Sequence, residues 1–343
     1  MSGADMVVQV LADEGVDTIF GYSGGAILPT YDAVFRYNDQ HRREDGSAAI
    51  PLIVPANEQG AGFMASGYAR ASGKVGVVMV TSGPGATNTV TPVRDCMADS
   101  VPIVVICGQV PRPAIGTDAF QEAPVSAIMG AVAKHIFLVT DPGKLEDTMR
   151  SAFELARTGR PGPVVIDIPK DVQNWEGPFK GHGVLPLHGY RRRLAKVDEN
   201  VLSDAASERF FTMLSESDRP LIYAGGGVIN ANATKAMRRL ASEYGIPVTT
   251  TLMALGASDT THPLALHMLG MHGIASANYA VEDCDFLIAI GARFDDRVAG
   301  NPAQFAPNAK NIAHFDVDFA EIGKVKRVNW HHVGVLERDL TDM

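Results

Sequence analysis

Short β-branched runs recur through the first part of the chain: VDTIF, PLIV, GVVMVT, PIVVICG, HIFLVT and GPVVIDIP. Between many of them the apolar residues fall at helical spacing, beginning with GADMVVQVLADEGV at the amino terminus. Continuous apolar strands alternating with helices predict a parallel sheet covered on both faces, and this block fills residues 1–172. Over residues 173–200 glycine, proline and charge interrupt the rhythm without a sustained period, which predicts an interdomain linker. From 201 to 343 the rhythm resumes in RPLIYAGG, IPVTTTL, DFLIAIGA and NIAHFDVD, separated by helical segments such as ATKAMRRLASEYG. The fold class is therefore α/β, with two doubly wound, mainly parallel-sheet domains. The closing VGVLERDLTDM reads as a helix start without a cap, so the expectation is that the chain is a fragment.

Composition narrows the function classes. At 343 residues the chain exceeds what one core usually holds, in line with two domains. The net charge of -9 and the lack of long basic runs argue against nucleic acid, and Arg191-Arg192-Arg193 reads as a solvated part of the linker. The three cysteines, Cys96, Cys107 and Cys284, show no CxxC spacing, which points to a reducing, cytoplasmic setting and no metal cluster. No secretory signal pattern opens the chain, and no apolar run is long enough to span a bilayer.

In open parallel sheets ligands bind beyond the carboxyl ends of the strands, so the loops that follow the strands carry the chemistry. GYSGGAI (21–27) fits either a tight strand-to-helix turn or a close backbone approach to a ligand. PANEQGAG follows an apolar run taken as a buried strand, and its acid, Glu58, has few charges nearby to pair with. It is either an ordinary surface carboxylate or an acid that bonds a ligand donor. SGPGATN (82–88) resembles a ligand-cradling turn before a helix and lacks the GK[ST] ending of a P-loop. QVPRPAIGTDAFQE (109–122) is long and polar, as binding loops are. In the second block YAGGG departs from GxGxxG at Asn230, and no acid stands at the ribose-binding offset, which makes a nicotinamide cofactor a poor fit.

Taken together, GYSGGAILPTYDA, NEQGAGFMASGYARASGK, VTSGPGATN, IGTDAFQE, AKHIFLV and GRPGPVVIDIPKDVQ resemble the pyrimidine-binding domain of thiamine-diphosphate enzymes. The resemblance is stronger still to the large catalytic subunits of the acetohydroxyacid (acetolactate) synthase family. GGGV, LGMHG and IGARFDDRVAG resemble that family's FAD-binding middle domain. The resemblance implies that Glu58 bonds the aminopyrimidine of thiamine diphosphate and promotes proton loss from the thiazolium, which then attacks a 2-keto acid. By the same likeness Tyr22, Gly24, Gly25, Ala26, Thr81, Pro84 and Asn88 would line the thiamine diphosphate site. Phe120 and Gln121 would sit over the reacting carbons, Lys134 would favour a keto-acid carboxylate, and Arg297 would face the substrate channel. FAD would contact Gly225, Gly226, Thr251, Leu252, Leu269, Gly270, Met271, His272, Gly291, Ala292, Arg293, Phe294, Asp295, Asp316 and Val317, without a redox part in the main reaction.

Some positions depart from the family pattern: Ser23 replaces proline, Asn57 replaces histidine, and Gly130 replaces an arginine that contacts FAD. No GDG motif occurs, so the family's third domain, which holds diphosphate through Mg²⁺, is expected to be absent. The resemblance implies a homodimer or tetramer with an active site shared between subunits, a regulatory small subunit as a further partner, and weak cofactor affinity for this chain alone. Two other readings stay open: another thiamine-diphosphate decarboxylase or carboligase, and a non-catalytic FAD-binding dimer module.

Overall fold

A computed structural model describes residues 1–343, which divide into two compact units, Met1–Leu187 and His188–Met343. In the first unit, six parallel strands form one sheet in the order β2-β1-β3-β4-β6-β5. They are β1 (Ile19–Tyr22), β2 (Leu52–Ile53), β3 (Gly76–Val80), β4 (Ile103–Gln109), β5 (His135–Leu138) and β6 (Val164–Pro169). β3, β4 and β6 are buried along their whole length, as strands covered on both faces should be. The small residues Ala61, Ala65 and Ala69 let the Glu58–Ser72 helix lie close to the sheet, in a core shared with Val78, Val80 and Val105.

The run before Glu58 is not a buried strand. β2 is a two-residue edge strand, and Ile53 and the following Val54 are 42% and 57% exposed. The first unit also continues past residue 172. Gln173 is fully buried, the Gly3 amide donates to the Trp175 carbonyl, and Ser2 bridges Glu176. The Lys180 amide caps Glu146 and the Leu185 amide caps Ser151, so the segment read as a linker packs onto the unit it follows. The rest of that stretch forms a helix, His188–Glu199. None of its residues is buried, so its sequence carries no apolar stripe to betray it.

The second unit is a sheet of six parallel strands in the order β12-β11-β10-β7-β8-β9. These are β7 (Pro220–Ala224), β8 (Val248–Thr250), β9 (Ala265–Met268), β10 (Phe286–Ile290), β11 (Asn311–Asp316) and β12 (Trp330–Val333). The order is that of a dinucleotide-binding doubly wound sheet, with its topological switch between β7 and β10. Both edge strands escaped the sequence pattern, because ALHM and WHHV lack the β-branched run of the central strands.

Asp167 is a polar residue inside the apolar β6 run, and it is 1% exposed. Its Oδ2 accepts from Gln109 Nε2 at 3.0 Å, and its Oδ1 has no partner. Burial pushes its carboxyl up to about 7, partly offset by the Gln109 hydrogen bond. The unfolded chain, with aspartate near 3.9, gives up this proton first as pH rises. Asp167 therefore costs no stability below about pH 4 and progressively more up to about pH 7. Urea unfolding should show Asp167→Asn gaining on wild type by on the order of 2 to 4 kcal/mol between pH 4 and pH 8. A difference that does not change with pH would contradict this reading of Asp167.

Candidate active site

The loops after β1, β2 and β3 meet around one carboxylate. Glu58 opens the Glu58–Ser72 helix behind Asn57, whose side chain caps the helix by accepting from the Gly60 amide at 2.8 Å. That cap fixes the turn out of β2 and draws Glu58 inward to 8% exposure. Glu58 Oε2 accepts from Asn88 Nδ2 at 2.9 Å. A methyl group added to Gly85 would lie 3.6 Å from Glu58 Oε1 and 2.7 Å from Thr81 Cγ2. Tyr31 is buried beside the same acid and donates to the Met79 carbonyl; burial first, and then the Glu58 charge, hold its hydroxyl proton more tightly than usual.

Thr81 joins the two glycine turns. Its Oγ1 accepts from the Ala26 amide at 3.3 Å, and a Cβ on Gly24 would lie 2.5 Å from its own Cβ. The Ala26 carbonyl accepts from Gln173 Nε2 at 2.8 Å, and Gln173 Oε1 accepts from Thr30 at 2.9 Å. Gly25 has open space around it, and Tyr22 is 38% exposed at the end of β1. The β1 turn is thus pinned from behind while its outer face stays accessible. Pro84 starts the short Pro84–Thr87 helix and Asn88 ends it, which places the Asn88 amide on Glu58. Gly83, at φ 50°, allows the Gln121 carbonyl to approach to 2.3 Å of where a Cβ would stand. Gln121 itself holds φ 58°, and the preceding Phe120 is 88% exposed. The β4 loop is thereby brought against the β3 turn by backbone contact.

Lys134 does not join this group. It directly precedes β5, at the amino end of a parallel sheet whose site lies at the carboxyl end. Its ammonium donates to the carbonyls of Leu155, Thr158 and Arg160 at 2.5, 2.8 and 2.7 Å, which uses all three hydrogens on the exit of the Leu145–Arg157 helix. Basic residues at the carboxyl end include Arg112, paired with Asp171 at 2.7 Å, Lys144, which follows the edge strand β5, and Lys170, which follows β6.

In the second unit, the predicted contacts cluster at the carboxyl ends of β7, β8, β9, β10 and β11. Gly225 and Gly226 follow β7, and a Cβ on Gly225 would strike the Gly291 carbonyl at 2.2 Å. Thr251 and Leu252 follow β8; Thr251 Oγ1 is buried without a partner, and Leu252 is 67% exposed. Leu269 is buried after β9, and Gly270 exchanges two hydrogen bonds with the Asn278 side chain. Met271 and His272 are exposed beyond it, and Arg297 Nη1 lies 3.8 Å from Met271 Sδ. Gly291 to Asp295 follow β10; Phe294 is buried and Arg293 Nη2 lies 3.8 Å from Asp295 Oδ2. Asp316 ends β11 and Val317 follows it, and Asp316 Oδ1 accepts from the Asp318 amide. Gly130 is exposed and packs on nothing closer than Ile136. The supporting residues Gln173, Gln109, Asp167, Tyr223 and His314 escaped the sequence reading. Polar residues inside apolar strands or at their ends, as in VVIDIP and NIAHFD, were the signal available.

Comparison with known proteins places both units in one family. Residues 1–128 match the family described as thiamine pyrophosphate enzyme, N-terminal TPP binding domain, and residues 207–342 match its central domain. The chain belongs to the thiamine pyrophosphate enzyme family. It is 47% identical to the acetolactate synthase large subunit of Corynebacterium glutamicum, covering 97% of this chain and 51% of that protein. It is 47% identical to the acetolactate synthase large subunit of Parasynechococcus marenigrum, covering 100% of this chain and 54% of the relative. It is 46% identical to the chloroplastic acetolactate synthase of Arabidopsis thaliana, covering 94% and 46%. The chain spans about half the length of the curated relatives it matches.

Removing the Lys134 ammonium should cost the first unit about 2 kcal/mol, since a charged donor and its carbonyls lose each other. Lys134→Ala should therefore lower the unfolding midpoint while leaving the keto-acid KM of a polypeptide of the relatives' full length unchanged. A raised KM at unchanged stability would return Lys134 to the substrate.

Proposed function

We propose that this chain forms the pyrimidine-binding and FAD-binding parts of an acetolactate synthase catalytic subunit. The reaction would be decarboxylation of pyruvate and condensation of the two-carbon unit with a second 2-keto acid, in branched-chain amino-acid biosynthesis (isoleucine and valine). The observation that carries this reading is the buried Glu58, bonded to Asn88 and flanked by Gly85 and Thr81. An acid in that setting suits a heterocycle that shares its proton; Gly24 and Gly85 let Thr81 pack close behind the turns, and the open space around Gly25 leaves room for a ligand.

Thiamine diphosphate, when bound, supplies the electron sink for both the decarboxylation and the carbon–carbon bond. Glu58 would give and take a proton through Oε1, while Asn88 holds Oε2 in place. Tyr22, Gly24, Gly25, Ala26, Thr81 and Pro84 would shape the cavity, and the Gln121 loop would close over it. Lys170 is the cation we place on the keto-acid carboxylate, because it follows β6, which pairs with β4, whereas Lys144 follows the edge strand β5.

FAD would lie across the carboxyl ends of the second sheet. The partnerless Thr251 hydroxyl, the exposed Leu252 and Met271, and the Gly225–Gly291 contact all suit a dinucleotide there. Mg²⁺ would be held by a further domain in a polypeptide of the relatives' full length. A homodimer fits the exposed apolar side chains Leu28, Phe35, Ile53, Val54, Phe63 and Met64 on the first unit. Three free, buried cysteines suit the cytoplasm. No helix is long and apolar enough to cross a membrane.

The test is made in a polypeptide of the relatives' full length. Glu58→Gln should slow C2 proton exchange of bound thiamine diphosphate by a hundredfold or more, roughly the scale of general acid–base catalysis. It should also abolish acetolactate formation from pyruvate. Unchanged exchange would remove Glu58 from the chemistry, and acetaldehyde in place of acetolactate would make the protein a decarboxylase.

A further inference from the structure

One side chain holds both ends of the loop after β4. Gln109 is the last residue of β4 and is 2% exposed. Its Oε1 accepts from the amide of Val110, where the loop leaves the strand, at 2.8 Å. Its Nε2 donates to the carbonyl of Ala123, where the loop returns, at 3.3 Å, and to Asp167 Oδ2 at 3.0 Å. A primary amide has two N–H hydrogens, and both are used. Turned over, the same amide would set its oxygen against the Ala123 carbonyl and the Asp167 carboxyl, and its hydrogens against the Val110 amide. The Asp167 acceptor therefore helps to fix which way the Gln109 amide faces. Gln109 is also the one partner of the Asp167 side chain. An apolar residue would suit the buried β6 run better, so what the carboxyl supplies there is this acceptor.

Between its clasped ends the loop follows a demanding path. Gly116, Asp118 and Gln121 stand at φ 81°, 59° and 58°, and the last two carry side chains. Such left-handed positions persist only where the surroundings impose them. The Glu122 carboxylate turns back to accept from the amides of Gly116 and Ala119, and the Arg112 amide donates to Asp171 Oδ1 at 2.9 Å. Phe120 is 88% exposed between Ala119 and Gln121, so the backbone, and not packing, decides where its ring stands.

We propose that Gln109 and Asp167 are positioning residues: the Gln109 amide clasps the loop after β4 at its base, and Asp167 holds that amide in the orientation that presents Phe120 and Gln121 to the substrate. This rests on the reading of the loop as the cover of the Glu58 site, and it names what sets the cover in place.

Amide hydrogen exchange on the purified chain, read by mass spectrometry, tests the clasp, and kinetics in a polypeptide of the relatives' full length test its use. Gln109→Met paired with Asp167→Val replaces both partners by apolar groups, so no buried carboxyl is left stranded. Peptides from 110–123 should then exchange about tenfold faster, the worth of one lost buried hydrogen bond, with peptides from β3 and from the Leu145–Arg157 helix unchanged. Asp167→Val alone should speed the same loop peptides severalfold, and Asp167→Asn, which keeps an acceptor oxygen, should match wild type. In the longer polypeptide the double variant should lower kcat/KM for pyruvate about tenfold, and Asp167→Asn should keep it. C2 proton exchange of bound thiamine diphosphate, which needs Glu58 and Asn88, should stay as in wild type throughout. Wild-type exchange at 110–123 in the double variant overturns the clasp, and in Asp167→Val it overturns the part given to Asp167. Faster loop exchange at unchanged kcat/KM overturns the positioning role, as does a loss of C2 exchange in step with kcat/KM. If the wild-type longer polypeptide forms no acetolactate, the synthase reading falls while the clasp stands on hydrogen exchange alone.

Discussion

A carboxylate removed from water needs a donor, and at Glu58 the donor is the side-chain amide of Asn88. That single contact ties the loop after β2 to the loop after β3. Much of the first unit can be seen as the means of keeping it. Asn57 fixes the start of the helix that carries Glu58, and the alanines of that helix seat it on the sheet. Thr81 and Gly85 bring the third loop to the acid, and Gln173 braces the β1 turn through Ala26. Loosening any of these would admit water to Glu58 or turn Asn88 away from it.

The two units solve a common problem in different ways. Each is an open parallel sheet with its ligand-facing loops at the carboxyl ends of the strands. In the first, side chains create a dry pocket around one acid. In the second, the buried Tyr223 and His314 side chains hold the Arg293 and Ala292 carbonyls of the loop after β10. The first arrangement suits proton transfer, and the second fixes the course of the loop at the switch point of its sheet.

The central strands were readable because burial on both faces demands unbroken apolar runs, as in GVVMV and IVVIC. β9, β12 and β2 were misread or missed because an edge strand is free of that demand. The helix His188–Glu199 was invisible because it buries nothing, and residues 173–187 looked like a linker because their packing is made by backbone amides and single polar side chains. At the site, the glycines and Glu58 stood out because they sit in loops where such residues do chemistry. Lys134 shows the limit of that reasoning. It stands directly before the HIFLVT run, which already put it at the amino end of a strand; the family likeness, and not that pattern, assigned it to the substrate. Gln173, Tyr223 and His314 act through backbone groups distant in sequence, and no local pattern marks such partners.

How dry the Glu58 carboxylate is can be measured on the chain itself. Treatment with a water-soluble carbodiimide and an amine, followed by peptide mass mapping, compares carboxylates by their access to reagent. The structure predicts that Glu58 is modified many times more slowly than the exposed Glu44 and Asp45, and that Asn88→Ala narrows the gap. Modification of Glu58 at the rate of Glu44 in the wild-type chain would mean that the acid lies open to water, and the enzymatic account would fail with it.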